Sequence, residues 1–282
     1  MIRLLKLEFY KNLNYMPFKV FSIMYFAILV GLLFIGLVDL NLWDGMKLNL
    51  KEQGMYDFPA IWHFTTYFVA FLKIFLGLII VFSICQEFSN RMFKQNTIDG
   101  LSRKEFIASK LLTTFIFTLI STIIIFLITF WLGKTYSKVT DSELIFKEMF
   151  FIGHYFLKLF TFFTFLLFLS VLFRKSIFVL LFLFFYWVAE SIITPLEKYI
   201  HIKDLNIKEK LEAAQNDFYI SNLFPLESMS NLIPSPFIRM RIAEGMGYKY
   251  QFHYPTESVI TCIVWCIIFT AGSYLILKKR DW

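Results

Sequence analysis

The chain has 282 residues, of which 58% are hydrophobic, and its mean hydropathy is +0.63. Soluble globular domains contain fewer apolar residues, so this composition indicates an integral membrane protein. The formal net charge is +7, but the basic residues flank long apolar runs, where positive charge sets membrane orientation. We therefore expect an all-α integral membrane protein and no nucleic-acid partner.

Residues 1–17 precede the first apolar run and predict an interfacial elbow helix. Apolar residues recur there at three- or four-residue spacing, as Ile2, Leu5, Phe9 and Leu13, and Pro17 would end the helix. Lys6 interrupts this apolar stripe. The alternative interpretation is an ordinary basic flank that fixes orientation.

Six apolar runs have about the ~20 residues that are needed to cross a bilayer. The predicted spans are Phe18–Val38, Ile61–Cys85, Leu111–Leu132, Phe150–Phe173, Ser176–Thr194 and Val259–Leu277. Spans 1–5 therefore occupy residues 18–194, and residues 256–282 contain span 6 and a basic C-terminus. Trp62, Trp131 and Trp187 fall near predicted outer ends, as expected of an interfacial aromatic belt.

Lys and Arg predict the orientation of these spans. They are concentrated in the loops at 86–110 and 174–175 and at both termini, whereas the opposite loops mix them with comparable numbers of acidic residues. Both termini are therefore expected in the cytoplasm (N-in/C-in).

Residues 195–255 lie between spans 5 and 6, on the outer side, and contain equal numbers of basic and acidic residues. This balance favours a small folded helical cap over a disordered linker. A new helix is expected at Thr194-Pro195-Leu196-Glu197, where proline would occupy the first helical position. Apolar contacts of the cap are expected from Phe224, Leu226, Leu232, Ile233 and Phe237.

The cytoplasmic loop 86–110 has helix signals of its own. Asn96–Gly100 reads as a short helix that ends on a glycine, and Ser102 with Glu105 has the spacing of a capping box that starts the third span. Apolar side chains would form a stripe that faces a partner or the membrane surface. Its residues are Phe93, Thr97 and Leu101, flanked by Met92 and Ile98.

This loop, the amphipathic N-terminus and the C-terminal K-K-R-D-W together resemble the permease subunit of type-2 ABC exporters (ABC-2-type permeases). The matching loop positions are Glu87, Asn96 to Leu101, Arg103 and Lys110. Asn96-Thr97 departs from the Gly-Thr that is frequent in the family, which leaves the start of the coupling helix open. The resemblance extends over all six predicted spans, but the specific sequence motif lies only in this loop.

The resemblance implies a bacterial inner-membrane (cytoplasmic-membrane) protein that is not itself an enzyme. Two permeases, either two copies or two paralogues, would work with two copies of a separate ATPase, which binds ATP and Mg. This chain would hold no cofactor and would contact membrane lipid. The residues expected to dock the ATPase are Glu87, Arg91, Phe93, Lys94, Thr97, Ile98, Leu101 and Arg103.

No ATPase motif is found in the sequence itself. Gly133-Lys134-Thr135 resembles the end of a P-loop, but that motif requires glycine at position 128, where the residue is Ile128. The histidines lack ligand spacing, so no metal site is predicted.

Three charged residues fall inside predicted spans: Lys73, Lys158 and Glu190. Such residues usually face a bundle interior, a cavity or a partner, so we expect them in the translocation path or at the dimer seam. Glu190 is placed to pair with Lys158. Alternatively, Lys158 snorkels outward and Glu190 stays hydrated near the headgroups.

Two other functions stay open from the sequence alone. One is a secondary transporter, although the two halves show no inverted repeat. The other is a membrane-embedded lipid-modifying enzyme, although the inner loops offer no polar catalytic cluster beyond loop 86–110. The substrate is not predicted.

Overall fold

The structure is a computed structural model, and it describes residues 2–35, 40–41, 47–48, 52–90, 92, 95, 98, 100, 102–139, 141–203, 219–239 and 254–279. The described chain is predominantly helical, which confirms the all-α prediction. One small departure is an antiparallel pair of two-residue strands, β1 (Leu40–Asn41) and β2 (Lys47–Leu48).

Ten α-helices are described. They are α1 (Ile2–Asn14), α2 (Met16–Ile35), α3 (Ala60–Ala70), α4 (Lys73–Ser89), α5 (Arg103–Tyr136), α6 (Ser142–Phe146), α7 (Phe150–Phe173), α8 (Ser176–Ile202), α9 (Pro225–Asn231) and α10 (Thr256–Lys279). Two short 3-10 helices, Ile220–Leu223 and Phe237–Arg239, flank α9.

The helices agree with the six-span prediction. Five segments that contain α2, α5, α7, α8 and α10 are long and apolar enough to cross a membrane, and α3 and α4 together form a sixth, bent candidate. Helix α5 begins at Arg103, at the predicted capping box, and so extends beyond the predicted start of the apolar span at Leu111. The Glu105 amide donates to Ser102 Oγ at 3.2 Å, and the Ser102 amide donates to Glu105 Oε2 at 2.9 Å.

The bend in the second span was not predicted. Helices α3 and α4 meet at 42°, and Phe71 and Leu72 join them. Their amides donate to the carbonyls of Phe68 and Val69, a tighter i to i−3 pattern that replaces the regular helical ladder. Lys73 therefore lies at the bend.

The prediction of a new helix at Pro195 is wrong, because α8 continues through this residue to Ile202. A proline removes only one backbone donor, and membrane helices tolerate that loss. Glu190 and Glu197 lie on either side of the proline, and each binds the same neighbouring segment. These contacts hold both halves of α8 against the same segment, residues 219–239.

Helix α7 lies at the centre of the bundle and contacts α3, α4, α5, α8 and α10. The aromatic-belt prediction fails for Trp62, which is fully buried and donates its indole N–H to the Ile145 carbonyl at 2.7 Å. Trp187 lies near the middle of α8 rather than at its end, because that helix is longer than expected. Trp131 is 55% exposed, as a belt residue would be.

Two ends of the bundle can be distinguished. At the terminal end, α1 packs against α5, and Arg103 Nη1 donates to the carbonyl of Lys278 at 2.6 Å. At the opposite, far end lies the segment 219–239, which contains α9. We call these 21 positions, 219–239, the far-end segment.

The far-end segment is packed into the bundle through α9, which contacts α7, α8 and α10. Of its predicted apolar contacts, Leu232 and Ile233 are buried, and Phe224 and Leu226 are half-buried. Phe237 is 47% exposed and packs edge-on against Tyr67 and Phe68. The remainder of the predicted cap, residues 204–218 and 240–253, lies outside the described residues.

Candidate functional site

The loop between α4 and α5 is described at four positions within 91–101. Met92, Gln95 and Ile98 have helical backbone. Gly100 has φ of 91°, a left-handed conformation that favours glycine and commonly ends a helix. The Ile98 side chain is 78% exposed. The loop therefore presents an apolar side chain beside a helix stop.

The docking residues predicted from the sequence divide into two groups. Arg91, Phe93, Lys94, Thr97 and Leu101 lie outside the described residues. Ile98 is exposed, as a docking residue must be. Arg103 is half-buried and binds the Lys278 carbonyl, and Glu87 is buried. These last two side chains therefore have contacts within the chain.

Glu87 requires a correction. Its side chain is only 2% exposed, and its carboxylate contacts the ammonium groups of Lys11 and Lys110. A carboxylate that is enclosed in this way is not presented to another protein. Glu87 therefore belongs to the interior of the bundle and not to a docking surface.

These contacts belong to a group that we call the ion cluster: Glu8 and Lys11, which are half-buried, and Glu87 and Lys110, which are buried. Lys110 Nζ lies 2.6 Å from Glu8 Oε1. Nearby, Ser83 Oγ donates to Asn12 Oδ1 at 2.9 Å. The cluster therefore fastens α1 to the end of α4 and the beginning of α5, the two helices that flank the loop.

Charge balance explains how the ion cluster is tolerated in the interior. It contains two carboxylates and two ammonium groups, and a buried charge without a partner would be strongly destabilising. Burial lowers the pKa of Lys11, which is outside the spans, to about 7; the positive charge of Lys110 acts in the same direction, and Glu8 opposes it. Lys11 therefore titrates near neutral pH. Glu87 and Lys110 are both among the loop positions that resemble the family, but no local pattern in the sequence connects them with α1.

A second site is a cavity of about 830 Å³ between the α3–α4 bend, α7, α8 and α9. All three charged residues that the sequence places inside spans line it: Lys73, Lys158 and Glu190. Its other lining residues are mainly aromatic or aliphatic. They include Tyr67, Phe71, Phe162, Leu183, Phe184, Trp187 and Leu226.

The suggested ion pair between Glu190 and Lys158 does not form. The two oxygens of Glu190 instead accept hydrogen bonds from the backbone amides of Leu226, at 3.3 Å, and Glu227, at 2.9 Å. Lys158 is 6% exposed, so it does not snorkel outward either. The Nζ atom of Lys73 lies 4.8 Å from the centroid of the Phe162 ring, in a cation–π contact.

Glu197 repeats the contact of Glu190 two helical turns further along α8. Its oxygens accept from the amides of Ile220, at 2.9 Å, and Ser221, at 2.8 Å. A separation of seven residues places both carboxylates on one face of the helix. Each therefore binds the first amides of a short helix in the far-end segment, an arrangement that the sequence analysis did not predict.

Comparison with known families is consistent with this architecture. Two family models match the chain, over residues 4–190 and 100–282, and both are described as ABC-2 family transporter protein. No curated protein matches it. Each model covers more than half of the 282 residues, and together they include the ion cluster, the loop and the cavity. The chain is therefore a multi-pass membrane protein that belongs to the ABC-2 transporter family.

Proposed function

We propose that this chain is the permease subunit of an ABC exporter and that a separate ATPase docks on the loop between α4 and α5. The observation that carries the proposal is the exposure of Ile98, an apolar side chain that is 78% accessible on helical backbone and is followed by the Gly100 turn. An apolar side chain in that setting suits a protein partner. In this proposal, two ATPases bind ATP and Mg²⁺ and serve two permeases, which are either copies of this chain or paralogues.

The orientation belongs to the same proposal. The terminal end of the bundle faces the bacterial cytoplasm, where ATP is available, and the far-end segment faces outward. Net positive charge in the loops of the terminal end supports this orientation through the positive-inside rule. Export then proceeds from the terminal end toward the far end.

The ion cluster gives the loop a mechanical connection to the spans. Closure of the ATPases would displace the loop, and both helices at its ends are fastened to α1 through Glu87 and Lys110. Such a displacement moves α1, α4 and α5 together rather than stretching the loop. Helix α4 leads directly to Lys73 and the cavity, which we assign to the translocation path.

The test is co-expression of the chain with a candidate ABC ATPase subunit from the same genome. Ile98→Asp should reduce co-purification and ATP hydrolysis by the complex about tenfold or more, because a charged group would be desolvated at the interface. Ile98→Leu is the matched control and should retain both. The melting temperature of the isolated Ile98→Asp chain should be unchanged, because the side chain is exposed.

Two outcomes would contradict the proposal. If the Ile98→Asp variant assembled fully with the ATPase and the complex still hydrolysed ATP, the loop would not be part of the ATPase interface. Transport by the purified chain in vesicles without any nucleotide-binding subunit would instead favour the secondary-transporter alternative.

A further inference from the structure

The cavity is lined by exposed aromatic side chains and by two lysines. Phe71, Phe184 and Trp187 are 60%, 55% and 56% exposed, so the described chain leaves this aromatic rim uncovered, toward the surface of the bundle. Lys73 and Lys158 line the same cavity. A ligand that fills the cavity must match both kinds of side chain.

Neither of the two carboxylates that line the cavity forms an ion pair with these lysines. Glu190 is occupied by the first two amides of α9, and Glu227 pairs with Lys198 at 3.0 Å. Among the residues that the structure describes, no carboxylate forms an ion pair with Lys73 or Lys158. Within the described residues, the two ammonium groups of the cavity therefore have no carboxylate in ion-pair contact.

The position of these two lysines makes the arrangement energetically costly. Lys158 is only 6% exposed and lies in the central helix α7, and Lys73 lies at the bend of the second span. Charged groups at such positions are expensive unless another charge or water compensates them. A bound anionic group would supply the missing charge.

We propose that the cavity binds an anionic amphiphile, with its phosphate or carboxylate between Lys73 and Lys158 and its apolar part along Phe71, Phe184 and Trp187. The volume of about 830 Å³ is within the ~300–1,000 Å³ of pockets that enclose small-molecule ligands. It suits a headgroup with part of an acyl chain. The further statement that this amphiphile is the transported substrate rests on the proposed exporter function.

Binding can be measured on the purified full-length chain in a nonionic detergent. The probes are a pyrene-labelled phosphatidylglycerol, a pyrene-labelled fatty acid and a pyrene-labelled diacylglycerol, and the signal is energy transfer from tryptophan. Both anionic probes should bind, and the diacylglycerol, which has the same apolar part without the charge, should bind at least about tenfold more weakly. Trp187→Phe should reduce the signal and so locate the probe in the cavity.

Charge variants test the assigned headgroup position. Lys73→Gln and Lys158→Gln should each weaken binding of the anionic probes by about fivefold or more, a loss of roughly 1 kcal/mol. Lys134→Gln, at an exposed position in α5, is the matched control and should leave affinity unchanged. Lys158→Arg conserves the charge and should retain binding, which separates loss of charge from loss of fold.

Three results would overturn the proposal. They are unchanged affinity in the Lys73→Gln/Lys158→Gln double variant, equal binding of diacylglycerol, and equally tight binding of inorganic phosphate alone. The last would identify a site for a free anion instead of an amphiphile. This assay needs neither ATP nor an ATPase, so its failure is distinct from failure of the Ile98 experiment.

Discussion

Lys110 in α5 and Glu8 in α1 are 102 positions apart in sequence, yet their Nζ and Oε1 atoms lie 2.6 Å apart. Glu87 completes the same contact from α4. The first helix, the end of the second span and the start of the third are therefore joined at one buried point. The strength and pH dependence of this junction can be measured.

Removal of one charged partner should show how much the ion cluster contributes to the free energy of unfolding. Glu87→Gln leaves two ammonium groups without their shared buried carboxylate, so we expect the free energy of unfolding to fall by about 3 kcal/mol. The Glu87→Gln/Lys110→Met double variant should lose less than the sum of the single losses. Chemical unfolding in detergent checks this, with Glu143→Gln, at an exposed far-end position, as the control. Strict additivity would show that the two residues are not coupled.

Stability should also depend on the protonation of Lys11. Its folded pKa of about 7 is below the unfolded value, so between pH 7 and about 10 the unfolded chain binds more protons at this residue. Stability contributed by Lys11 therefore rises with pH, by at most ~1.4 kcal/mol per pH unit. Well below pH 7 the residue is charged in both states, and its contribution no longer changes.

The measurement is the difference in unfolding free energy between the wild type and Lys11→Met at pH 7.0, 8.0 and 9.0. Subtraction removes, to first order, the pH dependence that the two chains share. The difference should move in favour of the wild type as the pH rises. A constant difference over this range would mean that Lys11 keeps an ordinary pKa in the folded chain.

Two glycines near the far end should respond oppositely to alanine. A Cβ atom at Gly133 in α5 would overlap the ring of the buried Phe58, whereas one at Gly153 in α7 has no neighbour within 4 Å. Gly133→Ala should therefore destabilise by about 1–3 kcal/mol. Gly153→Ala should stabilise by about 0.5–1 kcal/mol, because alanine loses less backbone entropy in a helix. Thermal unfolding of both variants decides this, and equal effects would contradict the close approach of α5 to Phe58.

The carboxylates of Glu190 and Glu197 should protect separate amides of the far-end segment. Glu190→Ala removes the acceptor of the Leu226 and Glu227 amides, and Glu197→Ala removes that of Ile220 and Ser221. A hydrogen bond to a charged group contributes about 1.5–3 kcal/mol. Hydrogen exchange of the affected amides should therefore accelerate about tenfold or more.

The two variants serve as controls for each other in hydrogen-exchange mass spectrometry. Each should accelerate exchange mainly in its own short helix, Pro225–Asn231 or Ile220–Leu223. Unchanged exchange in both would mean that α8 does not hold the segment through these side chains.

Local signals in the sequence were sufficient for much of the fold. Apolar run length predicted the spans, and the spacing of Ser102 and Glu105 predicted the start of α5, because a capping box involves residues only three apart. The left-handed Gly100 could be anticipated for the same reason. Lys73, Lys158 and Glu190 could be grouped because an intramembrane charge needs a polar environment.

Contacts between distant segments could not be predicted in this way. The burial of Glu87 depends on α1, and the occupation of Glu190 depends on backbone amides, whose chemistry is the same at almost every residue. The bend at Phe71 and Leu72 contains no proline or glycine from which it could have been predicted. Pro195 led to a different error. Its local sequence predicted the start of a new helix, but both halves of α8 pack against the far-end segment and the helix continues through the proline.

The bend also divides the second span into two arms that meet at Phe71 and Leu72. Helix α4 has 17 residues, so at ~1.5 Å per residue its arm is about 25 Å long. A rotation of ~10° about the bend would carry the Glu87 end through roughly 4 Å while leaving Lys73 almost in place. If an ATPase displaces the loop as proposed, the ion cluster would therefore move much further than Lys73, and the proposed ligand contact at Lys73 would be little disturbed.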